Sequence, residues 1–121
     1  MYDYNSPRNK TTIVYYVPSD FEGKCYYIYY NQEGEAPLIP EKVKGKYELT
    51  IKYSPDGKLL TSSDGETMPE LGWYKTKAYS INEDGVVIGE IPNEDISGSL
   101  TNSDSKNAYS TEVFDGSGYC H

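Results

Sequence analysis

KYELTIKY, residues 46–53, has the two-residue period of a half-buried β-strand: Tyr47, Leu49, Ile51 and Tyr53 point one way, and Glu48, Thr50 and Lys52 point the other. Ser54-Pro55-Asp56-Gly57 follows, with proline and glycine placed as a tight turn requires. KLLTS (58–62) is therefore expected to return beside it as the second strand of a hairpin.

The same grammar extends in both directions. Upstream, TTIVYYV (11–17) is β-branched and aromatic and is stopped by Pro18. PSDFEG (18–23) is a turn, KCYYIYY (24–30) a second strand, and NQEGEAPLIPEK (31–42) an extended loop with two prolines and a glycine. Downstream, WYKTKAYSI (73–81) reads as a strand with Trp73, Tyr79 and Ile81 on one face and Lys75 and Lys77 interrupting it. Asn82-Glu83-Asp84-Gly85 turns it into VVIGEI (86–91). The polar stretch 92–108 has room for one short helical turn, and YSTEVF (109–114) is the expected last strand. No window has a sustained helical period, and strands recur every ten to fifteen residues with turns between them. The expectation is an all-β, single antiparallel sandwich of about seven strands, with residues 1–10 a polar arm and 11–121 one domain.

The totals agree. The chain of 121 residues is 36% hydrophobic, and its 14 tyrosines add large buriable surface. A net charge of −8 repels phosphate backbones, so no nucleic-acid partner is expected. No apolar stretch is long enough to span a bilayer. MYDYNSPRNK has no hydrophobic run and is not a signal peptide, so the chain is either cytosolic or a mature fragment whose leader has been removed.

No catalytic residue is expected. The single histidine, His121, is the last residue, where a general base is poorly held. Cys25, Cys120 and His121 exhaust the soft metal ligands, and the acidic loops lack calcium-loop spacing, so neither metal nor cofactor is expected. Cys25 and Cys120 are either a disulfide that closes most of the chain, contributing about 4–5 kcal/mol, or a buried thiol and a loose one.

GKCYYIYYN (23–31) places Cys25, Tyr27 and Tyr29 on one face and Tyr26, Ile28 and Tyr30 on the other. It reads mainly as core wall, with some tyrosines left outside. Tyr26, Tyr30, Trp73 and Tyr74 are the candidate binding surface, facing a protein or a cell-wall glycan.

The order of phrases up to residue 85 resembles a family of small uncharacterised domains of Gram-positive bacteria, bacilli included. The resemblance rests on Pro18, Phe21, Gly23, Ala36-Pro37-Leu38, Gly57, Leu60-Thr61-Ser62-Ser63, Gly72-Trp73, Tyr79 and Gly85. It covers roughly residues 12–86 and implies an exported or lipid-anchored protein with a transthyretin- or immunoglobulin-like sandwich. An exported protein meets an oxidising exterior, which favours the disulfide. The family carries no catalytic residues to transfer.

The expected function is a non-enzymatic, extracytoplasmic binding module of a bacterial cell surface. Three alternatives stand beside it: an acidic inhibitor or immunity-type protein for a basic partner, with Glu66, Glu70, Glu83 and Asp84 on one face; a small hydrolase with paired carboxylates; and a structural subunit of a larger assembly.

Overall fold

The computed structural model describes residues 11–65, 74–101 and 108–118. Among them are nine strands and one 3-10 turn at Asn93–Asp95. The strands are β1 (Thr11–Pro18), β2 (Tyr26–Tyr29), β3 (Glu41–Val43), β4 (Lys46–Lys52), β5 (Lys58–Leu60), β6 (Tyr74–Ile81), β7 (Val87–Ile91), β8 (Ser97–Thr101) and β9 (Tyr109–Val113). They form a five-stranded sheet, β3-β4-β1-β6-β7, and a four-stranded sheet, β5-β2-β9-β8.

The all-β expectation holds, but the antiparallel, transthyretin- or immunoglobulin-like sandwich of about seven strands does not. Both sheets are mixed. β1 runs parallel to both of its neighbours, β4 and β6, and β2 runs parallel to β5. The reason lies in β1: Ile13, Val14, Tyr15 and Val17 are all buried, so the strand needs cover on both faces and fills the middle of its sheet.

The hairpin expected from KYELTIKY fails for a related reason. The alternation is correct: Leu49 and Ile51 are buried, whereas Glu48, Thr50 and Lys52 are exposed. The SPDG turn also forms, with the Gly57 amide donating to the Ser54 carbonyl at 2.8 Å. However, β4 already pairs with β3 on one edge and β1 on the other, so β5 has no edge to return to. It crosses to the second sheet and pairs with β2. The Asn82–Gly85 hairpin does form between β6 and β7 as read, closed by the Gly85 amide on the Asn82 carbonyl at 2.9 Å.

Two strands were hidden. β3 joins β4 through Lys44-Gly45, both at positive φ, the geometry of a two-residue hairpin turn. β8, Ser-Gly-Ser-Leu-Thr, lies inside the stretch read as polar loop, just after the short 3-10 turn.

One core joins the sheets. Ile13, Tyr15, Leu49, Ile51 and Ala78 from the first meet Tyr26, Ile28 and Phe114 from the second side, together with Tyr30 and Tyr53. The rings of Tyr26, Tyr53 and Phe114 lie 5.1–5.9 Å apart in tilted and edge-on arrangements.

Several of the residues that carried the family resemblance build this fold. Phe21 lays its ring over Gly23 and Gly57, leaving no space for a side chain at either. The buried Thr61 hydroxyl donates to the Ala36 carbonyl at 2.8 Å, and the Leu38 amide donates to Ser63 Oγ at 2.8 Å. These bonds clasp the Ala-Pro-Leu loop to the Leu-Thr-Ser-Ser segment.

Candidate functional site

Parallel strands end on the same side of a sheet, so the turns that follow β1, β4 and β6 gather at one edge. Between them lies a cleft of about 300 Å³ lined by Pro18, Asp20, Tyr53, Pro55, Ile81 and the Asn82–Gly85 turn, among others. Its floor includes the buried Ile81 and Tyr53; Asp20, Glu83, Asp84 and Lys52 are exposed around it. The hairpin wall is pinned by its own first residue: Asn82 Oδ1 accepts from the amides of Asp84 at 2.9 Å and Val86 at 3.0 Å. The Ser19 amide donates to the Ile81 carbonyl at 2.9 Å and fixes the opposite wall. Of the four acids expected to share a face, Glu83 and Asp84 meet here with Asp20; Glu66 and Glu70 lie outside the described residues.

A different surface covers the second sheet. Tyr27, Tyr29 and Tyr109 are half-buried on its outer face, with ring centroids 6.0–6.2 Å apart. Pairing puts Tyr29 between Tyr109 and the exposed Leu60, and Tyr27 between Thr111 and Lys58. The binding surface expected from the sequence therefore needs correction. Tyr26 and Tyr30 are 7% and 1% exposed and belong to the core, because the inward face of β2 is the one that carries Ile28. The outward tyrosines are their neighbours. Trp73 and the side chain of Tyr74 lie outside the described residues.

The third cluster is internal and went unread. Glu112 is 4% exposed, and its Oε1 accepts from the Tyr53 hydroxyl at 2.5 Å. Ser110 also hydrogen-bonds this carboxyl and shares a 3.0 Å hydroxyl–hydroxyl bond with Tyr30. Burial raises the Glu112 pKa to about 7, the bonds from Ser110 and Tyr53 only partly opposing it. Burial, aided by the Glu112 charge, also pushes the Tyr53 hydroxyl well above its usual value. The clue was present: in YSTEVF, Glu112 shares parity with Ser110 and the buried Phe114. The acid lies on the core side of its sheet, bonded to Tyr53 and Ser110.

Cys25 is disulfide-bonded, and Cys120, the only other cysteine of the chain, lies outside the described residues, as does His121. Among the described residues no group of three or more His, Cys, Asp or Glu could hold a metal ion. No helix among them is long and apolar enough to cross a membrane.

These features define a two-sheet, mixed β domain with an aromatic outer face on one sheet and an acid-rimmed cleft at the end of the other. No protein-family model matches the chain, and no curated protein matches it in sequence. Among solved structures it is similar to the crystal structure of a "Putative Lipoprotein from Bacillus anthracis", with a TM-score of 0.62 and 19% identity over 93% of this chain and 75% of that one. At that identity the likeness establishes a shared fold.

Proposed function

We propose that this chain is a non-catalytic binding module of a bacterial cell surface, working outside the cytoplasm. The observation that carries the reading is the outer face of the second sheet, where Tyr27, Tyr29 and Tyr109 form one contiguous aromatic patch. A tyrosine offers a rigid apolar ring and a hydroxyl at little conformational cost, which is why it is enriched where proteins recognise surfaces. The fold shared with a bacillar protein described as a lipoprotein, and the family resemblance of residues 12–86, support the compartment. Cys25 in a disulfide suits an oxidising exterior.

The test is binding of the intact protein to purified cell-wall sacculi and, separately, to detergent-extracted surface proteins. Wild type is compared with a Tyr27→Ser/Tyr29→Ser/Tyr109→Ser variant. Retention by either fraction that the triple variant loses supports the reading and distinguishes a glycan from a protein ligand. Equal retention of both proteins, or reproducible turnover of a chromogenic ester or glycoside, overturns it.

A second reading, an acidic inhibitor of a basic partner, is favoured by the cleft rimmed by Asp20, Glu83 and Asp84. It requires association that weakens steeply with salt.

A further inference from the structure

We propose that the outer edge of β7, unpaired among the described residues, is a docking strand for an extended, basic segment of a partner protein. The inference does not depend on the tyrosine face, and it gives the acidic-inhibitor reading a definite surface.

The four sheet edges are not alike. β3 and β5 are three residues each and carry Glu41, Lys42 and Lys58, the brevity and charge that ordinarily discourage edge pairing. β8 is Ser- and Gly-rich. β7 is five residues long and closes the first sheet, with only β6 beside it among the described residues. Its approach and first half are apolar and outside: Val86, Val87 and Ile88 are 57%, 48% and 58% exposed. Such a run on an edge is a template for another strand unless something covers it.

One detail fits a backbone approaching this edge. Ile88 is the extra residue of a bulge, since Ser80 pairs with Gly89 and Ile81 with Val87, so a partner strand has to follow the local twist. Gly89 follows it with no side chain, and among the described residues nothing lies within 4 Å of the position a Cβ would take. A glycine there lets a second main chain come close.

Charge chooses the occupant. From Asn82 to Ile96 the chain holds Glu83, Asp84, Glu90, Glu94 and Asp95 and no lysine or arginine. The apolar centre is therefore bracketed by carboxylates: the hairpin acids at its start, beside the cleft, and Glu90 and Glu94 at its end. A second copy paired antiparallel about Gly89 would bring Asp84 towards Glu94 and Glu83 towards Asp95, like against like. The complement is a strand with an apolar middle and basic ends, docking by main-chain hydrogen bonds as a sixth strand of the sheet.

The full chain is titrated with the capped peptide KVTVTVK, with its charge-reversed form EVTVTVE, and with KVTVTVK N-methylated at alternate amides, while amide exchange is followed residue by residue. Expected is protection of β7 amides by KVTVTVK, at least about tenfold weaker binding of the reversed and methylated peptides, and weakening with salt. Ile88→Lys, an exposed change that should fold normally, is expected to weaken KVTVTVK binding by about tenfold or more with an unchanged melting temperature. The Tyr27→Ser/Tyr29→Ser/Tyr109→Ser variant should bind the peptide as wild type does, which separates this surface from the tyrosine face. Equal affinity for the two charge forms, no binding of KVTVTVK, or protection lying elsewhere than β7 overturns the proposal. So does a concentration-dependent dimer whose β7 amides are protected without peptide.

Discussion

Tyr53, just past the end of β4, donates its hydroxyl hydrogen to Glu112 of β9 at 2.5 Å, joining the two sheets through a buried acid. Tyr53 is 2% exposed and Glu112 4%, and among the described residues no cation is one of the groups that set the carboxyl's pKa. The bond satisfies the acid but does not compensate its charge, so the protonated form is the comfortable one.

Stability should therefore fall as pH rises between about 4.5 and 7. The Glu112 carboxyl titrates near 4.5 when exposed and near 7 in the fold. Below that window both folded and unfolded chains hold the proton; within it the unfolded chain loses its proton first, and above it the loss of stability is complete. At about 1.4 kcal/mol per unit, the shift corresponds to roughly 3 kcal/mol. Urea midpoints from pH 5 to 8 should decline for the wild type and stay nearly level for Glu112→Gln, which keeps an acceptor for Tyr53. A wild-type profile as flat as the variant's would refute the assignment.

Gly57→Ala should destabilise more than Gly45→Ala. Both glycines sit at φ near +80°, which costs a side chain about 1–2 kcal/mol. At Gly57, however, an added Cβ would also lie 2.7 Å from the Phe21 ring, whereas at Gly45 it meets nothing among the described residues. The expected costs are about 3 kcal/mol and about 1 kcal/mol. In a Phe21→Ala background the two should become similar, a coupling that a double-mutant cycle on urea midpoints reads directly.

The sequence made the strands legible and their partners less so. Alternation in Tyr47–Tyr53 identified the buried face of β4 correctly, because a two-residue period is a local property. It could not say that both edges of β4 would be occupied, since that depends on β1 and β3, and so the return hairpin was misjudged. The unbroken apolar run Ile13–Val17 was itself a sign of a central strand with parallel neighbours. The choice of Tyr26 and Tyr30 over Tyr27 and Tyr29 as surface residues failed for a different reason: when both faces of a strand carry tyrosine, parity separates the faces but does not say which is inside. β8 left no signal, because Ser-Gly-Ser-Leu-Thr has neither β propensity nor alternation and is ordered by β9.

Reduction should soften the fold without changing its core. Cys25 is bonded, and a bond to Cys120 would close most of the chain. A thiol count under denaturing conditions should find no free thiol, and reductant should lower stability by about 4–5 kcal/mol. Cys120→Ser should match the reduced wild type. Two titratable thiols in the untreated protein would remove this pairing.

The tyrosines of β2 should divide by parity when replaced one at a time. Tyr30 is enclosed and shares a hydroxyl bond with Ser110, so Tyr30→Ala should cost about 3–5 kcal/mol. Tyr29 lies on the outer face beside Tyr27 of its own strand and opposite Tyr109, where a cross-strand pair contributes only about 1 kcal/mol or less, so Tyr29→Ala should leave the urea midpoint nearly in place. Ligand retention should show the opposite order: Tyr29→Ala loses it while remaining folded, and Tyr30→Phe, which preserves the ring, keeps it. If Tyr29→Ala destabilised the protein as much as Tyr30→Ala, the outer tyrosines would be structural and the face would lose its claim as a binding surface.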